Sequence, residues 1–255
     1  MKKIYFFTVI LAIVLASACS KTEVNPEVAV SSTLATPADL LLVTTTLAGA
    51  NEVPAVTSTA TGTVAGTYNK TTKLLNLNVT YAGITPTAWH IHKAAVGVAG
   101  SVVFNFGTTF TTPYNYISPL ALATDQEADL LAGNNYFNMH SAKSASGEIR
   151  GQLTAAASTA KGSVTGKYNN TTKILTLTVT YSGLTPTAWH LHKGAAGVAG
   201  PVVLDLGTTF TSPFIFTTTA LTTDQETDLK TGNYYLNIHS AAATGGEIRG
   251  QLAVL

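Results

Sequence analysis

The sequence predicts an all-β protein built from two tandem antiparallel β-sandwich or Greek-key barrel domains, each carrying one short helix. Three observations support this fold class. Residues 62–153 recur at 162–252, with an offset of 100 residues that falls to 99 near the end. Within each copy, apolar and polar residues alternate along short segments, as in half-buried antiparallel strands. About seven such segments in roughly 100 residues favour a sandwich or barrel.

The N-terminus resembles the export signal of a bacterial lipoprotein. Lys2 and Lys3 precede an uncharged apolar run, residues 4–16, that is too short to span a membrane. Small residues then lead to Cys19, the single cysteine of the chain. We therefore predict a signal peptide over residues 1–18 and lipidation of Cys19, which would anchor the protein to a bacterial membrane in the periplasm or at the cell surface. The alternative is an ordinary secretory signal that is cleaved nearby.

The composition excludes several classes of function. An acylated Cys19 leaves no thiol for a disulfide, a thiolate metal site or a cysteine nucleophile. The chain has 14 basic and 13 acidic residues, and only 11% of its residues are charged. Such a balance gives no electrostatic footprint for nucleic acid. No G-x-S-x-G motif is present, so the sequence offers no recognisable catalytic set and favours a protein that is not an enzyme.

The repeat sets the domain boundaries. Polar, proline-containing residues 19–40 predict a lipid-anchored flexible tether. The first domain is expected over residues 41–154 and the second over residues 155–255. Copy two has no counterpart of the opening segment of copy one, residues 41–54. Either copy two lacks a strand, or the end of copy one serves both domains.

The elements of copy one follow from local patterns. From Lys73 to Tyr81 the apolar residues share one face and the polar residues the other, which predicts a strand after a turn at 69–72. Thr124-x-x-Glu127 resembles a capping box, and Gly133 is placed to end a short helix. Copy two repeats this with Thr223-x-x-Glu226 and Gly232. The other strands of copy one are expected around 43–50, 61–68, 87–93, 101–106, 134–141 and 147–153.

All six histidines occupy equivalent positions in the two copies. In a strand, His90 and His92 point to one face, and the intervening apolar residues point to the core. His140 has the same relation to its apolar neighbours, as does the polar pair Glu148 and Arg150. If the three strands are neighbours, these side chains form one polar cluster per domain. The predicted metal ligands are His90, His92, His140, His190, His192 and His239, with Glu148, Arg150, Glu247 and Arg249 supporting them.

Three interpretations of this cluster remain open. Two histidines two residues apart on a strand, with a third from elsewhere, can build a three-imidazole site for zinc or copper. Its fourth position would be open to water or a substrate. The same residues also occur as a structural cluster whose imidazoles hydrogen bond to carbonyls. Finally, the polar face can bind a non-metal ligand or a partner.

Taken together, these segments resemble the CHRD domain, a family named for the extracellular protein chordin and found in many exported bacterial proteins. The resemblance covers nearly all of residues 41–255 and implies an extracytoplasmic β-sandwich or barrel, with no catalytic residues to carry over. Copy two departs from the family by lacking the Asn-Glu-Val-Pro segment, which puts its independent folding in question. The matching motifs of copy one are Ala50-Asn51-Glu52-Val53-Pro54, Gly62-x-x-x-Gly66-x-Tyr68, Thr87-Ala88-Trp89-His90-Ile91-His92 and His140-Ser141…Gly147-Glu148-Ile149-Arg150-Gly151-Gln152-Leu153.

The His-x-His strand is also similar to the copper-binding strand of copper/zinc superoxide dismutases, although only over a few residues. We interpret the chain as a tandem CHRD-like module anchored in the cell envelope, with a non-catalytic binding or structural role. Its expected partners are the membrane, through the lipid, and an unidentified envelope or extracellular protein or glycan. The alternative is a histidine-cluster protein that binds copper or zinc with a dismutase-like site geometry.

Overall fold

The computed structural model describes residues 26–255, which form two antiparallel β-sheets with separate apolar cores. This confirms the predicted all-β class with two tandem domains. The proposed signal peptide, Cys19 and the first part of the tether lie outside the described residues. Within residues 26–255, neither helix has the length and hydropathy that a membrane crossing requires.

The first domain is a curled sheet of nine strands. In chain order, β1 (Glu27–Ala35) precedes the elements of this domain, which end at residue 156. These elements are β2 (Leu40–Ala48), a 3-10 turn (Gly49–Asn51), β3 (Thr61–Asn69), β4 (Leu75–Ala82), β5 (Pro86–Lys93), β6 (Ser101–Asn105), β7 (Tyr114–Ile117), α1 (Thr124–Leu131), β8 (Asn135–Ser141), β9 (Ile149–Gln152) and β10 (Thr154–Ala156). The strand order is β6-β5-β8-β9-β2-β3-β4-β7, and β10 pairs with β2.

The second domain repeats this sheet. Its elements are β11 (Lys161–Asn169), β12 (Leu175–Ser182), β13 (Pro186–Lys193), β14 (Val202–Asp205), β15 (Phe214–Thr217), α2 (Thr223–Lys230), β16 (Tyr234–Ser240), β17 (Ile248–Gln251) and β18 (Ala253–Val254). The strand order is β14-β13-β16-β17-β1-β11-β12-β15, and β18 pairs with β1. The strand in the position of β2 is therefore β1, which comes from the N-terminal end of the chain.

Strand β1 corrects the prediction of a flexible tether over residues 19–40. It pairs with β11 over nine residues, from Glu27 opposite Asn169 to Ala35 opposite Lys161. Strand β2 pairs with β3 in the same way. Copy two therefore neither lacks a strand nor shares the end of copy one. The segment is ordered because its backbone groups are paired and its apolar residues Val30 and Leu34 are buried in the second core.

Each core is built around one tryptophan. Trp89 and Trp189 are fully buried, and Trp89 is surrounded by aromatic rings of its own domain. The predicted alternation in β4 is confirmed, because Leu75, Leu77 and Val79 are buried. Side chains alternate between the two faces of a strand. Because the tryptophan enters the core, the histidine that follows it lies on the other face of the sheet.

The two predicted helices are confirmed, but their capping boxes lie one residue earlier than expected. In α2, the Thr222 hydroxyl accepts a hydrogen bond from the Gln225 N–H at 3.2 Å, and the Gln225 side chain accepts from the Thr222 N–H at 2.9 Å. In α1, Ala123 takes the cap position and has no side-chain acceptor, so only half of the box forms, from the Ala123 N–H to the Gln126 side chain at 2.9 Å. The glutamates expected in the boxes instead form ion pairs, Glu127 with Lys73 and Glu226 with Lys173.

Candidate metal centre

The three histidines of each domain meet on the outer face of the sheet. Strands β5, β8 and β9 are neighbours, as the predicted cluster requires. On β5, Trp89 and Ile91 enter the core, so His90 and His92 face outwards. On β8, Phe137 and Met139 are buried in the same core. His140, which follows them, therefore joins the two histidines of β5.

The imidazoles converge closely. His90 Nδ1 lies 3.1 Å from His140 Nε2, and one nitrogen from each of the three rings falls within 4.8 Å of the others. In the second domain, His190 Nδ1 lies 3.1 Å from His239 Nε2, and the same limit holds with His192. Two nitrogens bound to a tetrahedral zinc ion at about 2.0–2.1 Å lie about 3.3 Å apart. The spacing therefore fits a shared ion.

Backbone carbonyls fix which nitrogen of each supporting ring is protonated. His92 Nδ1 lies 2.9 Å from the Gly100 carbonyl, and His140 Nδ1 lies 2.9 Å from the Ala145 carbonyl. A carbonyl only accepts, so each of these Nδ1 atoms donates its proton and each Nε2 presents a lone pair. The lone pair of His140 Nε2 faces His90 Nδ1, within hydrogen-bond distance. The second domain repeats the arrangement, with His192 against Gly200 and His239 against Thr244.

One nitrogen in each cluster is left without a partner. His92 and His192 are 9% and 8% exposed, and neither Nε2 has a hydrogen-bond partner among residues 26–255. An unpaired buried acceptor costs about 1–3 kcal/mol. In a purely structural cluster of neutral imidazoles, these two acceptors stay unpaired. A bound cation would give both of them a partner.

The surroundings favour the neutral form of three of the imidazoles, those of His90, His92 and His239. Burial lowers the pKa of His90, and the charges of His140 and His92 lower it further. Burial also lowers the pKa of His92, although the Gly100 carbonyl opposes the shift, and it lowers the pKa of His239. A metal ion competes with protons for these nitrogens, so a lowered pKa extends metal binding to lower pH.

Arg150 supports the cluster through a tyrosine that the sequence analysis did not identify. The Arg150 guanidinium carbon lies 3.3 Å from the centre of the Tyr136 ring. Tyr136 in turn stacks on His92, with ring centres 4.8 Å apart and planes 7° from parallel. In the second domain, Arg249 and Tyr235 stack on His192 in the same order. Each stack fixes the plane of its histidine ring.

Glu148 and Glu247, predicted to support the histidines, are engaged elsewhere. Glu148 accepts hydrogen bonds from the hydroxyls of Ser58, at 2.6 Å, and Ser141. These bonds hold the pKa of Glu148 below its ordinary value. Glu247 accepts a hydrogen bond from Ser158 at 2.5 Å. The two glutamates thus fasten the segments that precede β3 and β11 to the sheet.

Glu52 is a buried carboxyl that only the first domain has. It is 8% exposed and lies near Arg150 and Asn138. Burial raises its pKa to about 7, against the opposing effects of the Arg150 charge and the Asn138 amide. In the second domain, β1 ends at Ala35 and the chain crosses to β2 through residues 36–39. The loop that carries Glu52 therefore has no counterpart there.

Comparison with known proteins supports the family resemblance. A comparison with curated protein sequences gave no match. The family model of the CHRD domain matches the chain twice, over residues 43–153 and 154–252. Its two matches meet where β10 begins, and together they cover most of both sheets. The chain therefore belongs to the CHRD domain family and carries two tandem copies of its domain.

Proposed function

We propose that this protein is a binding module that takes up one transition-metal ion in each domain, through His90, His92 and His140 and through His190, His192 and His239. The observation that carries the proposal is the pair of buried, unpartnered Nε2 atoms of His92 and His192. Each belongs to a group of three imidazole nitrogens within 4.8 Å of one another. Neutral imidazole is a ligand for zinc and copper, which makes these two metals the expected ions.

The described residues support binding more strongly than catalysis. Three imidazoles leave a fourth position on a tetrahedral ion, but neither Glu148 nor Glu247 is free to act as a base there. The Arg–Tyr–His stacks orient ligands and bring no second reactive group. Two linked sites on one chain suit uptake or retention of metal. The bound ion would also join β5 to β8 and so stabilise the fold.

The test measures metal stoichiometry. The protein from residue 20 onwards, purified without a histidine tag, is dialysed against Zn²⁺ or Cu²⁺ and analysed by mass spectrometry. We expect two equivalents in the wild type, one in His90→Ala and none in His90→Ala/His190→Ala. The control is Thr87→Ala/Thr187→Ala, at exposed positions of the same strands. Substoichiometric metal that the histidine substitutions do not change would refute the proposal.

We further propose that the protein is exported and held at a bacterial membrane by a lipid on Cys19. The support is in the sequence, where a short apolar run and small residues precede that cysteine. Only residues 20–26 separate Cys19 from β1, so the lipid would be attached next to the second domain. Detergent phase partitioning of cell extracts tests this proposal. The wild type should enter the detergent phase and Cys19→Ser the aqueous phase, and equal partitioning would contradict it.

A further inference from the structure

One position beside the histidines differs in charge between the two domains. Asn105, at the end of β6, lies directly opposite His90 in the register of the sheet, and Asp205, at the end of β14, lies directly opposite His190. Residues opposite each other on antiparallel strands share a face. The next residue, Leu206, is buried in the second core. Asp205 therefore points to the outer face, beside His190.

The two side chains make the same backbone contact. Asn105 Oδ1 accepts a hydrogen bond from the Gly107 N–H at 2.8 Å, and Asp205 Oδ1 accepts one from the Gly207 N–H at 2.7 Å. The remaining atom is what distinguishes them. In Asn105 it is an NH₂ group, which only donates. In Asp205 it is a carboxylate oxygen, which accepts and shares a negative charge.

A metal-bound His190 would have an N–H group from which this carboxylate oxygen can accept a hydrogen bond. Its Nδ1 faces His239 Nε2, so a metal shared by these atoms leaves the proton of His190 on Nε2. A carboxylate that accepts the outer N–H of a metal-bound histidine orients the ring and raises its basicity. The Asp205 carboxylate lies near enough to His190 for its charge to act on the ring, whereas Asn105, at the corresponding position opposite His90, is uncharged.

We propose that Asp205 is a positioning residue that tightens metal binding at the histidine site of the second domain. This inference rests on the proposed metal-binding function. Asp205 acts through His190 and also adds a negative charge beside the bound cation. The first domain carries Asn105 at this position and so lacks both effects. Glu52 is present only in the first domain, so the Zn²⁺ affinities of the two sites are not compared with each other. Each site is compared with its own variant, in which the contribution of Glu52 is unchanged.

The experiment isolates each site in the full chain and exchanges the two residues. His90→Ala leaves the second site, into which Asp205→Asn is introduced. His190→Ala leaves the first site, into which Asn105→Asp is introduced. Zn²⁺ affinity is measured by competition with a chromophoric chelator. Asn105 already accepts from the Gly107 N–H the hydrogen bond that Asp205 accepts from the Gly207 N–H. The exchange therefore preserves the loop. The thermal unfolding midpoint of each metal-free variant checks this.

We expect Asp205→Asn to weaken Zn²⁺ binding at the second site about tenfold or more, within the range typical of residues that hold metal ligands. Asn105→Asp should tighten binding at the first site. A purely structural role for Asp205 would not produce that gain. Unchanged affinity in either background, with Zn²⁺ still bound, overturns this inference and leaves the proposed function intact. Failure of both single-site backgrounds to bind Zn²⁺ would refute the proposed function and this inference with it.

Discussion

Glu52 shows how a single buried carboxyl can make the stability of one domain depend on pH. Burial raises its pKa to about 7, above the ordinary value of about 4.3. A carboxyl whose pKa is raised on folding binds its proton more tightly in the folded state. Its stabilising contribution is therefore complete below about pH 4.3 and is lost as the pH rises through about 7.

We expect Glu52→Gln to remove this pH dependence from the first domain. Glutamine keeps the size of the side chain and has no charge to bury. The wild type should lose up to about 3 kcal/mol relative to the variant between pH 4.5 and pH 8. The measurement is urea unfolding followed by Trp89 fluorescence in a Trp189→Phe background. Both proteins contain the same histidines, so any contribution from these residues cancels in the difference. Parallel curves for the two proteins would contradict the prediction.

Gly246 occupies a position that no other residue fits. Its φ is +115°, and a Cβ there would overlap the Asn237 amide. We expect Gly246→Ala to destabilise the second domain by about 1–3 kcal/mol, through backbone strain and overpacking. The control is Gly245→Ala, where a Cβ meets nothing within 4 Å. Chemical unfolding followed by Trp189 fluorescence compares the two. Equal midpoints would show that the turn relaxes without cost.

At the level of residues, strand parity predicted on which face of the sheet the histidines lie. It placed all six histidines on the outer face, together with Arg150 and Arg249. Tyr136 has the same parity as His140, so this signal was present in the sequence and was missed. Parity did not reveal that Glu148 bonds to Ser58 and Glu247 to Ser158, because these two serines lie about 90 residues earlier in the chain. Asp205 was missed because it differs from its counterpart in copy one.

Among the elements, β1 is the one that the sequence analysis misassigned. Its residues Val30-Ser31-Ser32-Thr33-Leu34-Ala35 match Val43-Thr44-Thr45-Thr46-Leu47-Ala48 of β2, thirteen residues later. This short repeat would have indicated a strand. It could not have named the partner, because local patterns do not show which of two similar sheets a strand joins. The flanking prolines, Pro26 and Pro37, made the segment resemble a tether.

The matched pair Leu34 and Leu47 tests the assignment of β1. Both side chains are buried, Leu34 in the second core and Leu47 in the first. We expect Leu34→Ala to destabilise the second domain by about 2–5 kcal/mol and to leave the first unchanged. Leu47→Ala should do the reverse. Urea unfolding in Trp89→Phe and Trp189→Phe backgrounds reports each domain separately. A loss of stability in the first domain on Leu34→Ala would disprove the assignment.

On the scale of the whole molecule, β1 links two domains that would otherwise follow one another along the chain. The chain starts in the second sheet, crosses through residues 36–39, builds the first sheet, and returns through residues 157–160. Strand β1 lies between β17 and β11 in the interior of its sheet. Without β1 the second sheet would divide into two parts that share no strand pairing. The second domain therefore depends on residues that precede the first.

This dependence predicts an asymmetry between isolated domains. We expect a fragment of residues 39–156 to fold alone, because it contains every strand of the first sheet. A fragment of residues 157–255 lacks β1 and should stay unfolded, with its Trp189 exposed to solvent. Adding a peptide of residues 26–36 should restore the fold, since it supplies the nine-residue pairing with β11 and the buried Val30 and Leu34.

Circular dichroism and Trp189 fluorescence during titration with the peptide measure this recovery. The control peptide carries Val30→Asp and Leu34→Asp, which keep the backbone donors and acceptors but place charges in the core. Recovery should saturate at one peptide per fragment, and the control peptide should give none, because burying two unpaired carboxylates outweighs the gain from strand pairing. If residues 157–255 fold fully without any peptide, then β1 packs on the second domain but is not required for that domain to fold.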